Sequence, residues 1–345
     1  MNIKGLTLEE LQVYLSSFNF PKFRAAQIFD WLYHKKVSGW EEMTNLPKSL
    51  RQFLVDQGVS LGRLSLVNQA KAADNTIKYL FELDDHQRME SVFIPEADRV
   101  TICFSTQVGC GMGCVFCATG QTGLIRNLFT AEIIDQVLTI GRITGMKINN
   151  LVAMGQGEPL ANYEAVLKAV RILNDPHGLG IGSRHITLST CGIIPKIYQL
   201  AEEPLQINLA VSLHSADDTL RNQLVPINKT FPLKQLIGAC RDYTAKTGRR
   251  LTFEYAMLKD VNDRETDLKK LIDMFAELGE RSRALFHINL IPYNPTPVFS
   301  FQRSEPRRIK EFAASLHRAH IETTIRKERG SDLAGACGQL QGRKF

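Results

Sequence analysis

The sequence predicts an α/β protein: a partial (β/α) barrel that follows an N-terminal helical accessory domain and a β-hairpin. Three observations lead to this fold class. Apolar residues recur with helical spacing over the first 60 positions, an alternating pattern flanks a polar turn near residue 85, and strand-like runs alternate with helical runs after residue 96. We therefore expect three parts, at residues 1–60, 61–95 and 96–345.

Composition sets the broad class of protein. The chain has 345 residues, of which 44% are hydrophobic and 23% charged, with a net charge of +6. It shows no apolar signal core and no run long enough to cross a bilayer, so we expect a cytoplasmic protein without a membrane partner. In that compartment its seven cysteines would start reduced and available for metal or redox chemistry. The mild positive charge is compatible with a nucleic-acid partner but does not identify one.

The N-terminal part is predicted to be helical. Thr7 is a candidate N-cap for a first helix that ends before Asn19, residues 22–34 carry a broad apolar stripe, and Pro47 is suited to the start of a third helix. Basic and aromatic side chains in this block suit RNA phosphates and bases. An ordinary solvated surface around a small helical core is the preferred explanation.

The rest of the chain is predicted as a hairpin followed by β/α units. The hairpin comprises residues 77–83 and 89–94. Helices are expected at 130–144, with Thr130 as the cap, and at 162–174, 195–201, 233–246, 265–278 and 306–318. Strands are expected at 100–105, 150–154, 185–189, 207–213, 251–257, 286–292 and 322–326. Repeated units of this kind indicate a parallel sheet with helices outside it.

Unusual residues recur just after these strands, where parallel α/β proteins place their active sites. Cysteines follow the first strand, a Gly-Gln-Gly-Glu-Pro segment follows the second, and polar or cysteine-containing segments end four others. These segments contain Ser189, Ser212–His214, Tyr293–Pro295 and Cys337. The repeated coincidence predicts one active face built from several strand ends.

Cys110, Cys114 and Cys117 form a C-x3-C-x-aromatic-C pattern that can bring three thiolates to one metal centre. A [4Fe–4S] cluster normally takes four ligands, so three would leave one iron open for a substrate. Structural zinc usually has four protein ligands, often as two C-x2-C pairs, and no second pair occurs. The spacing favours the cluster, while zinc and free thiols remain alternatives.

The segment Gly155–Pro159 lacks the third glycine of a dinucleotide-binding fingerprint, which argues against that function. Its glycines would instead let the backbone approach a ligand, and Glu158 could accept from an ammonium group. A tight turn with a surface Glu is an equal alternative. On their own, His214 is typical of a satisfied core histidine, and Ser189 and Ser212 are typical of hydroxyls at strand ends.

Taken together, these motifs resemble those of radical S-adenosylmethionine enzymes, and more closely the RlmN/Cfr family of RNA methyltransferases. The resemblance covers essentially the whole chain. It rests on an ordered set of motifs: Ser105–Cys110, Gly157–Leu160, Leu188–Thr190, Ser212–His214, Asn289–Pro295 and Ala336–Leu340. Residues 96–345 would then be a radical S-adenosylmethionine core domain that ends in a catalytic loop.

The resemblance implies a role for each matching residue. Cys110, Cys114 and Cys117 would hold one [4Fe–4S] cluster per chain, whose open iron binds S-adenosylmethionine. Cys337 would be methylated, Cys103 would be its redox partner, and Glu90 would accept a proton. The positions that match the family's cofactor-binding residues are Gly157, Glu158, Ser189, Ser212, Leu213, His214 and Asn294.

The resemblance also implies a reaction that consumes two molecules of S-adenosylmethionine per turnover. One methylates the Cys337 thiolate, and the other yields a 5′-deoxyadenosyl radical that abstracts hydrogen from that methyl group. The carbon radical adds to an adenine ring, Glu90 removes the ring proton, and attack by Cys103 releases methylated RNA and leaves a disulfide.

The implied substrates are an adenosine in the peptidyl-transferase region of 23S rRNA and the adenosine 3′ of certain tRNA anticodons, both methylated at carbon 2. An external reductant would serve the cluster and the disulfide, and we expect a monomer. Pro159 favours carbon 2 over the Cfr-like carbon 8, while Gln156 departs from the Met expected there. A non-catalytic, metal-containing RNA-binding protein is the alternative from a different class.

Overall fold

The computed structural model describes residues 1–279, 283–296, 299–330, 335 and 337–340, and it contains one large sheet. This sheet has ten strands in the order β1-β2-β3-β4-β7-β8-β9-β10-β11-β12, and β5 and β6 form a separate ribbon. The strands are β1 (Ser65–Lys71), β2 (Ile77–Glu82), β3 (Arg88–Pro95), β4 (Val100–Cys103), β5 (Gln107–Cys110), β6 (Gly123–Asn127), β7 (Asn150–Ala153), β8 (Ile186–Thr190), β9 (Asn208–Ser212), β10 (Leu251–Met257), β11 (Phe286–Pro292) and β12 (Thr323–Ile325).

The helices of the described residues fall in the N-terminal block and between the strands. They are α1 (Leu8–Ser16), α2 (Phe23–Phe29), α3 (Lys48–Asp56), α4 (Ala118–Gln121), α5 (Thr130–Thr144), α6 (Tyr163–Asn174), α7 (Ile194–Ala201), α8 (Asp218–Leu224), α9 (Leu233–Thr247), α10 (Glu265–Glu277) and α11 (Pro306–Arg318). None of them is long and apolar enough to cross a membrane.

The parallel part of the sheet forms the partial (β/α) barrel that the sequence predicts. Every neighbouring pair from β4 through β7 to β12 is parallel. The long helices of this region bury one apolar side, and residues such as Leu167 and Val170 of α6 join the same hydrophobic core as the strands. The carboxyl ends of these strands therefore meet on one face of the barrel.

The predicted hairpin is part of a larger antiparallel extension. β1 pairs with β2, β2 with β3, and β3 with β4, so three antiparallel strands continue the barrel sheet. β1 is largely exposed, and it lacks the apolar alternation by which the sequence identified its two neighbours. The register places Lys78 opposite Val92 and Val92 opposite Cys103, so these three side chains share one face of the sheet.

Two other local predictions were incomplete or wrong. Strands β5 and β6 were not predicted, since each has only four or five residues, and Cys110 is the last residue of β5. Thr130 is the first residue of α5, and Phe129 occupies the cap position; the Phe129 backbone N–H donates to Glu132 Oε2 at 2.7 Å. The prediction for Thr7 is confirmed, because its hydroxyl accepts from the Glu10 backbone N–H at 3.2 Å.

A buried ion pair joins the N-terminal block to the barrel. Lys4 Nζ contacts Asp135 on α5, and both residues are almost fully buried. Lys4 Nζ also donates to the Gly62 carbonyl at 3.0 Å, and the Tyr33 hydroxyl donates to the Lys4 carbonyl at 3.0 Å. Burial raises the pKa of Asp135, and the nearby Lys4 ammonium opposes that shift.

We expect Lys4→Met to lower the free energy of unfolding by about 3–5 kcal/mol, because it leaves the Asp135 carboxylate buried without its cation. The double variant Lys4→Met/Asp135→Leu should recover most of that loss, since it removes both charges. Lys168→Met is the control: it breaks a more exposed pair with Glu10 and should cost about 0–1 kcal/mol. Urea unfolding measures all three, and equal losses for Lys4→Met and Lys168→Met would contradict the expectation.

Candidate active site

One cavity lies at the carboxyl ends of the parallel strands, where the sequence predicts the active face. Most of the residues predicted to bind the metal or the cofactor line it. They are Cys110, Cys114, Cys117, Gly157, Ser189, Ser212, His214 and Asn294, together with Cys337 from the C-terminal segment. Residues from four strand ends (β7, β8, β9 and β11) and from two cysteine-containing segments thus converge on one cavity.

The three clustered thiols line this cavity among apolar side chains. Burial is the main cause that raises the pKa of Cys110 to about 12 and of Cys117 to about 11. Thiolates in such surroundings need a cationic centre to hold them in the charged form, which an iron–sulfur cluster supplies.

The chemistry of the thiols also fits a cluster. Cysteine thiolates are the usual ligands of [4Fe–4S] clusters, and each thiolate binds a different iron. The donor set therefore fits a [4Fe–4S] cluster held by Cys110, Cys114 and Cys117.

The glycine-containing loop after β7 is pressed against the chain that leads to the triad. Gly157 has a φ of 101°, and a Cβ at this position would lie 2.6 Å from Gln107 Cβ. Only glycine allows this approach. Glu158 does not line the cavity; its Oε1 accepts from the Leu160 N–H at 3.0 Å and its Oε2 from the Cys191 N–H at 2.7 Å.

His214 lines the cavity as a neutral ring. Its Nδ1 accepts from the Ala256 N–H at 3.0 Å, which leaves Nε2 as the nitrogen that carries the proton. Burial, aided by nearby Arg221, lowers the pKa of His214 to about 3. The Phe116 ring meets the His214 ring at a centroid distance of 4.5 Å. Leu213, also predicted to contact the cofactor, is fully buried and does not line the cavity.

A second cavity contains the two cysteines that lie far apart in the sequence. Cys103 and Cys337 both line it, and Cys337 lines the first cavity as well. Burial is the main cause that raises the pKa of Cys103 to about 12, and the neighbouring Cys337 contributes. The Asn294 side chain donates to the Cys337 carbonyl at 3.4 Å and lines both cavities.

Glu90 lies near this pair but lines neither cavity. It is on β3, two residues before Val92, which is the cross-strand neighbour of Cys103; Glu90 and Cys103 therefore project from the same sheet face. The Glu90 carboxylate is 1% exposed and pairs with Lys78 Nζ at 3.1 Å. A buried carboxylate held by a buried ammonium is unusual for a hairpin and sets Glu90 apart from a surface residue.

Sequence reasoning missed three cavity residues, namely Cys191, Glu254 and Arg326. Glu254 interrupts the apolar strand β10, and a charge in a buried strand is a signal that would have found it. Arg326 lines both cavities, and Cys337 is the main cause that raises the pKa of Arg326. Ala336 of the C-terminal motif lies outside the described residues.

Comparison with known proteins identifies the family. Residues 1–58 match the model of the ribosomal RNA large subunit methyltransferase N-terminal domain, and residues 104–272 match that of the radical SAM superfamily.

Full-length relatives agree with the family models. The chain is 46% identical to a probable dual-specificity RNA methyltransferase RlmN from Natranaerobius thermophilus, across 99% of this chain and 97% of the relative. A protein of the same description from Thermoanaerobacter pseudethanolicus is 44% identical, across 100% of this chain and 98% of the relative. The crystal structure of a radical SAM methyltransferase from Sphaerobacter thermophilus superposes with a TM-score of 0.94 at 44% identity, and covers 99% of this chain and 100% of its own.

These matches span the helical N-terminal block, the barrel and the C-terminal cysteine segment together. A [4Fe–4S] cluster and S-adenosylmethionine are accordingly the cofactors. The chain belongs to the RlmN family of radical S-adenosylmethionine RNA methyltransferases.

Proposed function

We propose that this enzyme methylates carbon 2 of one adenosine in the peptidyl-transferase region of 23S rRNA and of the adenosine 3′ of the anticodon in certain tRNAs. The observation that carries the proposal is the position of Cys337, which lines both the cavity of the cysteine triad and the cavity of Cys103. A methyl carrier must face the place where the radical forms and also the thiol that later releases the product, and this position meets both needs.

In the proposed reaction, Cys337 acts first as a nucleophile. Its thiolate attacks the methyl carbon of one S-adenosylmethionine, so that a carbon–sulfur bond forms on Cys337 and S-adenosylhomocysteine leaves. Arg326 lines the same two cavities as Cys337. Cys110, Cys114 and Cys117 would hold the cluster, which would supply the electron that cleaves a second S-adenosylmethionine. The resulting radical takes one hydrogen atom from the methyl group on Cys337.

Cys103 completes the proposed sequence. Addition of the carbon radical to the adenine ring leaves an unpaired electron on the ring, which would pass to the oxidised cluster as the ring proton leaves. RNA and Cys337 are then joined by a carbon–sulfur bond. The Cys103 thiolate attacks the Cys337 sulfur, a disulfide forms, and the carbon–sulfur bond breaks with its electron pair on carbon, where a proton completes the methyl group. An external reductant then restores both thiols.

Glu90 is the proposed acceptor of the ring proton. Lys78 binds its Oε1, so the pair holds a carboxylate at a fixed orientation on the sheet face of Cys103. The Glu90 backbone is fixed too, because its N–H donates to Gln156 Oε1 at 3.0 Å and its carbonyl accepts from the Ser105 hydroxyl at 2.6 Å. Such fixation suits a base that must meet one ring position.

The N-terminal block offers a surface for the RNA. Phe23 is 56% exposed, and the Arg24 guanidinium lies 4.5 Å from the centre of its ring. Exposed aromatic rings beside cations can stack on unpaired bases and bind phosphates. The proposed enzyme acts in the cytoplasm as a monomer, with RNA and an electron donor as its partners.

We expect Cys103→Ala to trap a covalent RNA–protein adduct, because nothing then attacks the Cys337 sulfur. Gel electrophoresis under denaturing conditions, with labelled rRNA fragment, S-adenosylmethionine and reductant, would show the adduct. Cys240→Ala is the control, since Cys240 is fully buried and lines neither cavity. Absence of adduct from a Cys103→Ala protein that carries its cluster would rule out the resolving role.

Glu90→Gln should slow product formation by roughly 100- to 10,000-fold, the range expected when a general base is lost, and the adduct should persist. Glu90→Gln alone removes the carboxylate that faces the buried Lys78 ammonium. The double variant Lys78→Met/Glu90→Gln removes that ammonium as well, and it should be equally slow if the defect is chemical. Glu82→Gln, on the neighbouring strand and partly exposed, is the control. Product release by Glu90→Gln at the normal rate would exclude Glu90 as the base.

The nucleoside product tests the site of methylation. We expect mass and chromatographic analysis of adenosines from modified 23S rRNA and tRNA to show 2-methyladenosine. Detection of 8-methyladenosine in its place would refute the proposed carbon 2 specificity while leaving the cysteine chemistry unaffected.

A further inference from the structure

Cys191 is a fourth thiol in the cavity of the cysteine triad, and none of the reaction steps above uses it. It follows β8 directly and lines the cavity together with Cys110, Cys114 and Cys117. Its Sγ lies 3.6 Å from the Sγ of Cys114, within hydrogen-bonding range for two sulfur atoms. Its closest thiol neighbour is therefore one of the three proposed cluster ligands.

The position of Cys191 is fixed by its backbone. The Cys191 N–H donates to Glu158 Oε2 at 2.7 Å, and the Cys191 carbonyl accepts from Arg221 Nη2 at 2.8 Å. Arg221 is itself fully buried and donates to the Ser212 carbonyl at 3.0 Å, which ties the turn after β8 to the end of β9. Gly192 extends the constraint: its φ is 111°, and a Cβ there would lie 2.9 Å from Leu236.

The donor in the pair follows from the chemistry of the cluster. A cysteine that ligates iron does so as a thiolate and has no hydrogen to donate. Cys191 would then be the donor and Cys114 the acceptor in the holoenzyme. A hydrogen bond to a charged sulfur is stronger than one between neutral groups.

We propose that the Cys191 thiol donates a hydrogen bond to the Cys114 sulfur and thereby makes the cluster easier to reduce. This inference rests on the proposed ligand role of Cys114. Reduction adds negative charge to the cluster and its ligand sulfurs, so a donor to one of these sulfurs stabilises the reduced form more than the oxidised form. Hydrogen bonds to the sulfurs are one of the factors that set cluster reduction potentials.

The backbone and the side chain of Cys191 make different contacts in the turn after β8. Glu158 holds the Cys191 backbone, while the Cys191 side chain is directed at the triad. Residue 191 is thus a positioning and tuning residue that acts through Cys114, and it requires neither RNA nor Cys337 for its effect.

The test is an anaerobic redox titration of the holoenzyme, followed by electron paramagnetic resonance of the reduced cluster, with neither RNA nor S-adenosylmethionine present. We expect Cys191→Ala to shift the midpoint potential to a more negative value. Cys191→Ser keeps a donor and should restore most of the wild-type potential. Cys240→Ala is the matched control, because it removes a buried thiol that does not line the cavity, and it should leave the potential unchanged.

Iron and sulfide analysis separates failure of this inference from failure of the ligand assignment. Equal midpoint potentials for the wild type, Cys191→Ala and Cys240→Ala would overturn the tuning role. A Cys191→Ala protein that binds no cluster, beside a Cys114→Ala protein that binds one, would make Cys191 the ligand and would overturn both. Full cluster content in Cys114→Ala, with a shifted potential in Cys191→Ala, would refute the ligand role of Cys114 and the route through its sulfur, while the effect of Cys191 on the potential would stand.

Discussion

The site depends on a buried contact between two loops, the chain from β4 to β5 and the loop after β7. The Gly155 N–H donates to the Phe104 carbonyl at 3.1 Å, and the Thr106 N–H donates to the Gln156 carbonyl at 2.8 Å. A Cβ on Gly155 would lie 2.7 Å from the Phe104 carbonyl carbon, so a larger residue would force the loops apart. Because β5 ends at Cys110, this contact fixes the triad relative to the rest of the barrel.

Hydrogen bonds continue from this contact to Glu90, the proposed base. Ser105 donates through its hydroxyl to the Glu90 carbonyl and accepts from the Gln156 N–H at 2.9 Å, while the Gln156 side chain accepts from the Glu90 N–H. Gln136 supports Ser105 from α5, with its Oε1 accepting from the Ser105 N–H at 2.7 Å. All of these side chains are buried, where an unmade hydrogen bond is costly, so each restricts the others to one arrangement. Gln156, which departs from the Met expected at this position, thus supports the Glu90 backbone through its side chain.

Much of the fold was predictable because it is encoded in patterns that span many residues. The apolar runs of the parallel strands and the apolar stripes of the long helices carry such a pattern, as does the Thr7 capping box. The cysteine triad was also predictable, since its spacing carries the chemistry. Strand β6 was not predictable, because its largely exposed residues show no apolar alternation. The role of Cys191 was not predictable either, because a single thiol forms no sequence pattern and its contact is with Cys114, 77 positions away. The assignment of Cys103 and Glu90 depended on family resemblance, since a buried cysteine and a hairpin glutamate are unremarkable by themselves.

The C-terminal segment is fastened to the short helix that follows the triad. The Gly338 carbonyl accepts from the Ala118 N–H at 2.7 Å, and the Leu340 carbonyl accepts from the Thr119 hydroxyl at 2.7 Å. Ala118 comes directly after Cys117, so the loop proposed to hold the cluster also positions the segment that contains Cys337. The two cysteine-containing segments, more than 200 residues apart in the sequence, are therefore held together by direct hydrogen bonds of their own.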